Sequence, residues 1–139
     1  MAETIVVDSS AIIAILRDEP DRAVIQKRLN SSPNSLCSMV TFVESFMVVT
    51  GQNVGTSPDD HHELLDSLGI SLTPLDAVQA TAAAQAFLRF GKGRHPARLN
   101  LGDCFSYALA KSLNAPLLYK GEDFGQTDIV SAVKTDATP

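Results

Sequence analysis

Tryptophan is absent from the sequence, and cysteine occurs only at Cys37 and Cys104. Two cysteines this far apart exclude a disulfide framework and a zinc knuckle, so they read as small apolar residues in a reducing compartment. Cations are scarce as well: 11 Lys and Arg stand against 16 Asp and Glu, for a formal net charge of −5. A protein that grips nucleic acid through a broad basic face carries the opposite sign. No apolar run reaches the roughly 20 residues of a membrane span. The opening MAETIVVD also lacks the basic-then-apolar pattern of a secretion signal. A cytoplasmic protein with no membrane partner is the expectation.

What is present suffices for a core. The chain is 45% hydrophobic and 19% charged over 139 residues, a balance that excludes disorder and suits one domain. The expected unit is residues 1–139, with an ordered core over about 4–133 and a loose C-terminal tail. Strand and helix patterns alternate along it. Thr4 to Val7 reads as a strand ending in Asp8 and feeding the helical run SAIIAILRD. A second helix opens at Asp18 or Glu19 before Pro20 and stops near Ser31 to Asn34. Leu36 to Met39 is a strand, and Thr41 to Gly51 a helix with Phe42, Val43, Phe46, Met47 and Val49 largely buried.

Ser57, Pro58, Asp59 and Asp60 open a helix closed by Gly69, and ISLTPL is a third strand. Asp76 caps an alanine-rich helix, Ala77 to Phe90, and Gly91 to Leu99 form a basic loop, GKGRHPARL. Gly102 to Leu113 is helical, Pro116 to Tyr119 a strand, Gly121 to Asp128 a turn, and Ile129 to Val133 a last edge strand. The pattern predicts an α/β fold: a three-layer α/β/α sandwich around a mostly parallel sheet of four to five strands. Ligands of such sheets bind beyond the carboxyl ends of the strands.

Acids stand at these junctions. Asp8, between the first strand and the first helix, suits either a helix cap or a functional carboxylate. Glu44 follows Thr41, and Asp103 follows Asn100, at the spacing of a capping box. Asp123 lies in the turn-rich GEDFG, and Asp128 stands beside Ile129. Each has a local structural explanation, yet a parallel sheet gathers all the junctions along one edge. Converging carboxylates repel unless a cation sits among them. Oxygen donors without Cys or His at ligand spacing select Mg2+ or Mn2+ over Zn2+. Such an ion activates water against a phosphodiester and steadies the leaving oxygen, which is nuclease chemistry.

The segments VVDSSAIIAIL, VTFVESF, LNLGDCFSYALAK and LLYKGEDFGQTDI resemble, in order and approximate spacing, the signature segments of PIN-domain ribonucleases, toxins of the VapC kind. The resemblance runs from Ile5 to about Val133, and its most specific part is LGDCFSYALAK followed by GEDFGQTDI. It implies a PIN-like fold and a Mg2+- or Mn2+-dependent endoribonuclease acting on RNA. Asp8, Glu44, Asp103 and Asp123 would be the catalytic, metal-binding acids, with Ser10 as a polar partner and Asp128 as an additional acid. It also implies a co-expressed VapB-type antitoxin and homodimers or higher toxin–antitoxin assemblies. The apolar run Ala11 to Leu16, with Arg17, places the antitoxin near the first two helices.

Lys92, Arg94 and Arg98 are the only dense cations, read equally as solvated charges or as contacts to RNA phosphates. His95 reads as a solvated loop residue. His61 and His62 are adjacent, so they cannot form an i, i+4 metal pair and are expected on an exposed first turn. Two other functions compete. One is a phosphatase or receiver-like phosphoryl-transfer domain using the acids with Lys120, although a haloacid-dehalogenase-like enzyme needs an Asp where Ser10 stands. The other is a non-catalytic RNA-binding module, which would gain by losing mutually repelling acids.

Overall fold

The computed structural model describes residues 3–51 and 56–133; the tail expected to be loose lies outside the described residues. Four strands, β1 (Thr4–Val7), β2 (Asn34–Ser38), β3 (Ile70–Thr73) and β4 (Leu117–Leu118), form a parallel sheet in the order β3-β2-β1-β4. The helices are α1 (Ser9–Leu16), α2 (Arg22–Ser31), α3 (Met39–Thr50), α4 (Pro58–Ser67), α5 (Ala77–Phe90) and α6 (Leu101–Ser112). Alternation along the strands makes two cores. Val6 and Leu117 join Ala83, Ala86 and Phe90 of α5 and Tyr107, Ala108 and Leu109 of α6. Ile5, Val7 and Leu118 join Ile12 and Ile15 of α1, Ile25 and Leu29 of α2, and Leu65 of α4. Helices thus cover both faces, giving the expected three layers, while α3 packs against both α1 and α6.

Capping chemistry sets most helix starts. Asp8, Ser38 and Asp76 each accept a backbone N–H at the head of α1, α3 and α5. Reciprocal capping boxes, Ser57 with Asp60 and Asn100 with Asp103, open α4 and α6. Helix α2 differs from expectation: it begins at Arg22, beyond Pro20, and its cap residue Asp21 makes no side-chain cap bond.

Other departures bear on function. Because Ser38 caps α3, Thr41 lies inside the helix, and the capping-box explanation of Glu44 does not hold. The buried positions of α3 are Thr41 and Ser45, one turn apart, while Val43 and Met47 are 52% and 66% exposed. His61 is fully buried rather than exposed, with its Nε2 2.8 Å from Ser45 Oγ and its ring against Phe42 and Phe46. Most of the apolar run of α1 is core: Ala11, Ile12, Ala14 and Ile15 are buried, while Ile13 and Leu16 are half-buried and Arg17 is exposed. The expected last edge strand reduces to one bridge between Leu117 and Ser131, since β4 itself has only two residues.

Short as it is, β4 anchors both layers. Leu117→Ala and Leu118→Ala are each expected to cost about 2–5 kcal/mol, the range for a fully buried leucine. Chemical denaturation of the two variants checks this; an effect below about 1 kcal/mol in either would mean that its core closes without β4.

Candidate active site

Asp8 is the innermost acid, at 2% exposure, and heads α1 just beyond the end of β1. Its Oδ2 accepts from the Ser10 backbone N–H at 3.0 Å and from Ser10 Oγ at 2.7 Å, and its Oδ1 accepts from Ser106 Oγ at 2.5 Å. The Lys120 backbone N–H at the end of β4 donates to Ser10 Oγ at 3.0 Å, and the Asp8 N–H donates to the Leu118 carbonyl at 2.9 Å. The cap reading and the buried-carboxylate reading of Asp8 therefore both hold. Ser10 is thus a hydrogen-bond partner of Asp8 through both its backbone and its side chain.

Glu44 reaches the same region from α3, where the Ser9 hydroxyl donates to its Oε1. Gly102 makes room for it, because a Cβ on that residue would fall on the Glu44 carboxylate. Burial raises the pKa of Glu44, the Ser9 hydrogen bond opposes that, and the charge of Asp8 adds to it. Asp103 heads α6, with Oδ2 accepting from the Asn100 N–H at 3.0 Å. Its carboxyl is pushed up to about 7, first by burial and then, against its cap hydrogen bond, by Asp8, Glu44 and Asp123. Asp123 stands exposed before the short 3-10 turn Phe124–Gln126. Four acids from four separate segments thus share one field.

Asp128 is engaged elsewhere. It accepts from Tyr107 Oη at 2.5 Å and pairs with Lys111 and Arg89, tying the C-terminal segment to α5 and α6. Those partners hold its carboxyl below the usual range, the reverse of an acid pressed against like charges. Lys120 Nζ is taken by Glu19 at 2.9 Å and Asp21 at 3.2 Å, which removes the lysine that a phosphoryl-transfer reading required. Lys92, Arg94 and Arg98 are exposed on a compact loop whose stem is closed by the pairing of Gly91 with Leu99, directly before Asn100. His95 holds that loop by accepting the Ala97 N–H at 3.0 Å and packing edge-on to Phe90. It is a turn residue rather than a solvated one.

Sequence reasoning missed Ser9 as a partner of Glu44, Gly102 as its clearance, and Ser106 as a partner of Asp8. A signal existed for the last: Ser106 lies one helical turn beyond Asp103 in LGDCFSYALAK and shares its face. Ser9 and Gly102 act across long separations that no local pattern reveals. Leu101 and Cys104 also line an apolar groove of about 610 Å³ with Ala80, Ala84, Phe87 and Phe105, and none of the four acids borders it.

A PIN domain model matches residues 5–130. The chain is 41% identical to a ribonuclease VapC of Mycolicibacterium smegmatis, covering 91% of this chain and 98% of that protein. It is 44% identical to ribonuclease VapC42 of Mycobacterium tuberculosis, over 89% of this chain and 95% of that one. The fold matches the crystal structure of the sarcin–ricin-loop-cleaving toxin VapC20 of M. tuberculosis with a TM-score of 0.73 at 15% identity, covering 91% and 96% of the two chains. It also matches VapBC-1 of nontypeable Haemophilus influenzae with a TM-score of 0.65 at 18% identity, covering 94% and 99%. The chain belongs to the PIN-domain family and, within it, to the VapC ribonucleases.

Nucleases of this family depend on divalent metal ions, and the donor chemistry here fits one: hard carboxylate oxygens, with the nearby Cys37 thiol kept protonated by burial, its pKa pushed up to about 12. Among the described residues, however, no three His, Cys, Asp or Glu side chains stand together as a ready ligand set. The hydrogen bonds explain this. Glu44 is turned to Ser9 and Asp103 to its own cap.

Asp103 makes the metal-free fold sensitive to pH. Its folded pKa lies above the unfolded value of 3.8, so its contribution is full below that value and is lost as pH rises through about 7. Asp103→Asn removes the loss and leaves an amide to serve the cap. At pH 8 in EDTA the variant is expected to melt roughly 5 °C above wild type, with the gap closing at pH 4. A variant melting at or below wild type at pH 8 would show that repulsion at this carboxyl is not limiting.

Proposed function

We propose that the chain works as a single PIN unit and as a cytoplasmic endoribonuclease, hydrolysing RNA phosphodiester bonds with Mg2+ or Mn2+ held by Asp8, Glu44, Asp103 and Asp123. The observation that carries this reading is the convergence of separate segments on one place: Glu44 of α3 packs over Gly102 of α6, next to Asp103, and Ser106 of the same helix donates to Asp8 at the end of β1. A divalent ion in that field neutralises the repulsion and supplies a Lewis acid for the phosphate oxygens. The residues themselves do the positioning. Asp8 is fixed by three hydrogen-bond donors, Glu44 approaches over Gly102, and Asp103 and Asp123 complete the rim. Asp128 is left out of this set in view of its ion pairs with Lys111 and Arg89.

In the proposed complex Lys92, Arg94 and Arg98 meet RNA phosphates beside Asp103. Arg98 adopts a left-handed backbone with φ of 53°, a conformation that costs a residue with a Cβ on the order of 1 kcal/mol. A VapB-type antitoxin is the proposed partner, as the H. influenzae VapBC-1 structure carries both names. Homodimers or larger assemblies are proposed on the exposed apolar side chains Leu88 and Leu101, which are 61% and 72% accessible.

Labelled RNA incubated with Mg2+ or Mn2+ is expected to be cut internally, with EDTA stopping the reaction. Asp8→Asn should lower the rate at least about 100-fold while the chain stays folded. Cleavage that persists in EDTA, or in Asp8→Asn at the wild-type rate, would defeat the reading.

The loop has its own test. Each phosphate contact contributes a salt slope of roughly 0.7 on single-stranded RNA. Arg94→Glu combined with Arg98→Glu is therefore expected to weaken RNA binding strongly and flatten that slope, with Mn2+ binding nearly unchanged. Unaltered affinity and slope would return the loop to the status of a solvated connector.

A further inference from the structure

Behind the acids lies a second layer of polar groups that the metal-holding role does not use. Thr41 and Ser106 are both fully buried, and their hydroxyl oxygens are 3.3 Å apart. Thr41 precedes Glu44 by one turn of α3, and Ser106 follows Asp103 by one turn of α6. Each acid-bearing helix therefore sends one hydroxyl inward, and the two meet beneath the acids. Their direction follows from proton counting. The single hydrogen of Ser106 Oγ goes to Asp8 Oδ1 at 2.5 Å, since a carboxylate only accepts. Ser106 must then accept from Thr41, which makes the order Thr41 to Ser106 to Asp8.

One turn further along α3, Ser45 Oγ donates to the Thr41 carbonyl at 2.9 Å. Ser45 Oγ also lies 3.1 Å from the Phe42 carbonyl, and it pairs with Nε2 of the buried His61 at 2.8 Å. His61 thus holds α3 at Ser45, and α3 presents Thr41 to Ser106. This explains why the inward positions of α3 are a threonine and a serine while Val43 and Met47 face outward.

We propose that Thr41 and Ser106 are positioning residues, a hydroxyl relay that orients the Asp8 carboxylate for its ion and keeps α3 and α6, with Glu44 and Asp103, in register around it. The proposal rests on the reading of these acids as holding a divalent metal. Apolar packing alone would keep the two helices together but would leave Asp8 Oδ1 without its donor, free to rotate toward whichever cation or hydroxyl is nearest.

The relay is tested with Mn2+ alone, by calorimetry and by the paramagnetic resonance spectrum of bound Mn2+, alongside kcat and KM on RNA. Thr41→Val keeps side-chain volume and deletes the hydroxyl, Thr41→Ser keeps the hydroxyl, and Ser106→Ala removes the link to Asp8. Thr41→Val and Ser106→Ala are expected to weaken Mn2+ binding and lower kcat by roughly 10-fold each, with KM for RNA within about 2-fold and an altered Mn2+ spectrum. Thr41→Ser is expected to restore both. Wild-type Mn2+ affinity in Thr41→Val and Ser106→Ala would overturn the relay, as would equal loss in Thr41→Ser, which keeps the hydroxyl. A wild-type chain that neither binds Mn2+ nor cuts RNA would instead sink the underlying reading of the acids.

Discussion

The burial of one negative charge organises this molecule. Asp8 sits at 2% exposure at the end of a central strand, where an ionised carboxylate is tolerated only if donors replace its lost water. Those donors come from separate parts of the chain: Ser10 from α1, itself fixed by the backbone after β4, and Ser106 from α6. Satisfying Asp8 thus requires α1, α6 and the end of β4 to meet at one point. The sheet order delivers this, because β1 is flanked by β2 on one side and β4 on the other. Asp8, Ser38 with α3, and the turn carrying Asp123 then all emerge at the same edge.

The other acids each have a local hydrogen-bond partner. Asp103 caps its own helix, and Glu44 accepts from Ser9. A carboxylate with a local donor carries a smaller desolvation cost, and the same hydrogen bonds keep each group within reach of its neighbours. The capping explanation and the functional explanation of Asp103 are consequently compatible. For Glu44 the capping explanation does not hold, since α3 starts at Met39 and its cap is Ser38.

The legible parts of the sequence were those written in local patterns. The bounds of β1 and α5, the caps at Ser57, Asp76 and Asn100, and the alternation that makes a parallel sheet follow from residues close in sequence. The four acids stood out because each marks a junction, and the basic loop because cations are rare elsewhere. What escaped was set by tertiary geometry. Polar Thr41 and Ser45 face inward because α3 packs onto buried hydroxyls and a histidine rather than onto an oily core. The adjacency that excludes a metal pair says nothing of depth, so His61 was expected in solvent and is instead fully buried. Asp128 stood near the right motif but meets Tyr107, Lys111 and Arg89, partners 17 or more residues away.

The overall charge of −5 at first argues against an RNA substrate, but charge counts weigh little against charge placement. Several of the cations are already occupied: Lys120 by Glu19 and Asp21, Arg28 by Glu3, and Lys111 and Arg89 by Asp128. The loop cations Lys92, Arg94 and Arg98 lie exposed beside the helix that carries Asp103. Screening confines attraction to about 8–10 Å at physiological salt, so a distant acidic surface scarcely opposes a phosphate already held at the loop. In the proposed complex the acids nearest that phosphate would be the ones that hold the divalent ion. With a divalent ion held by those acids as proposed, the electrostatics of this acidic chain would favour a phosphate backbone beside the loop.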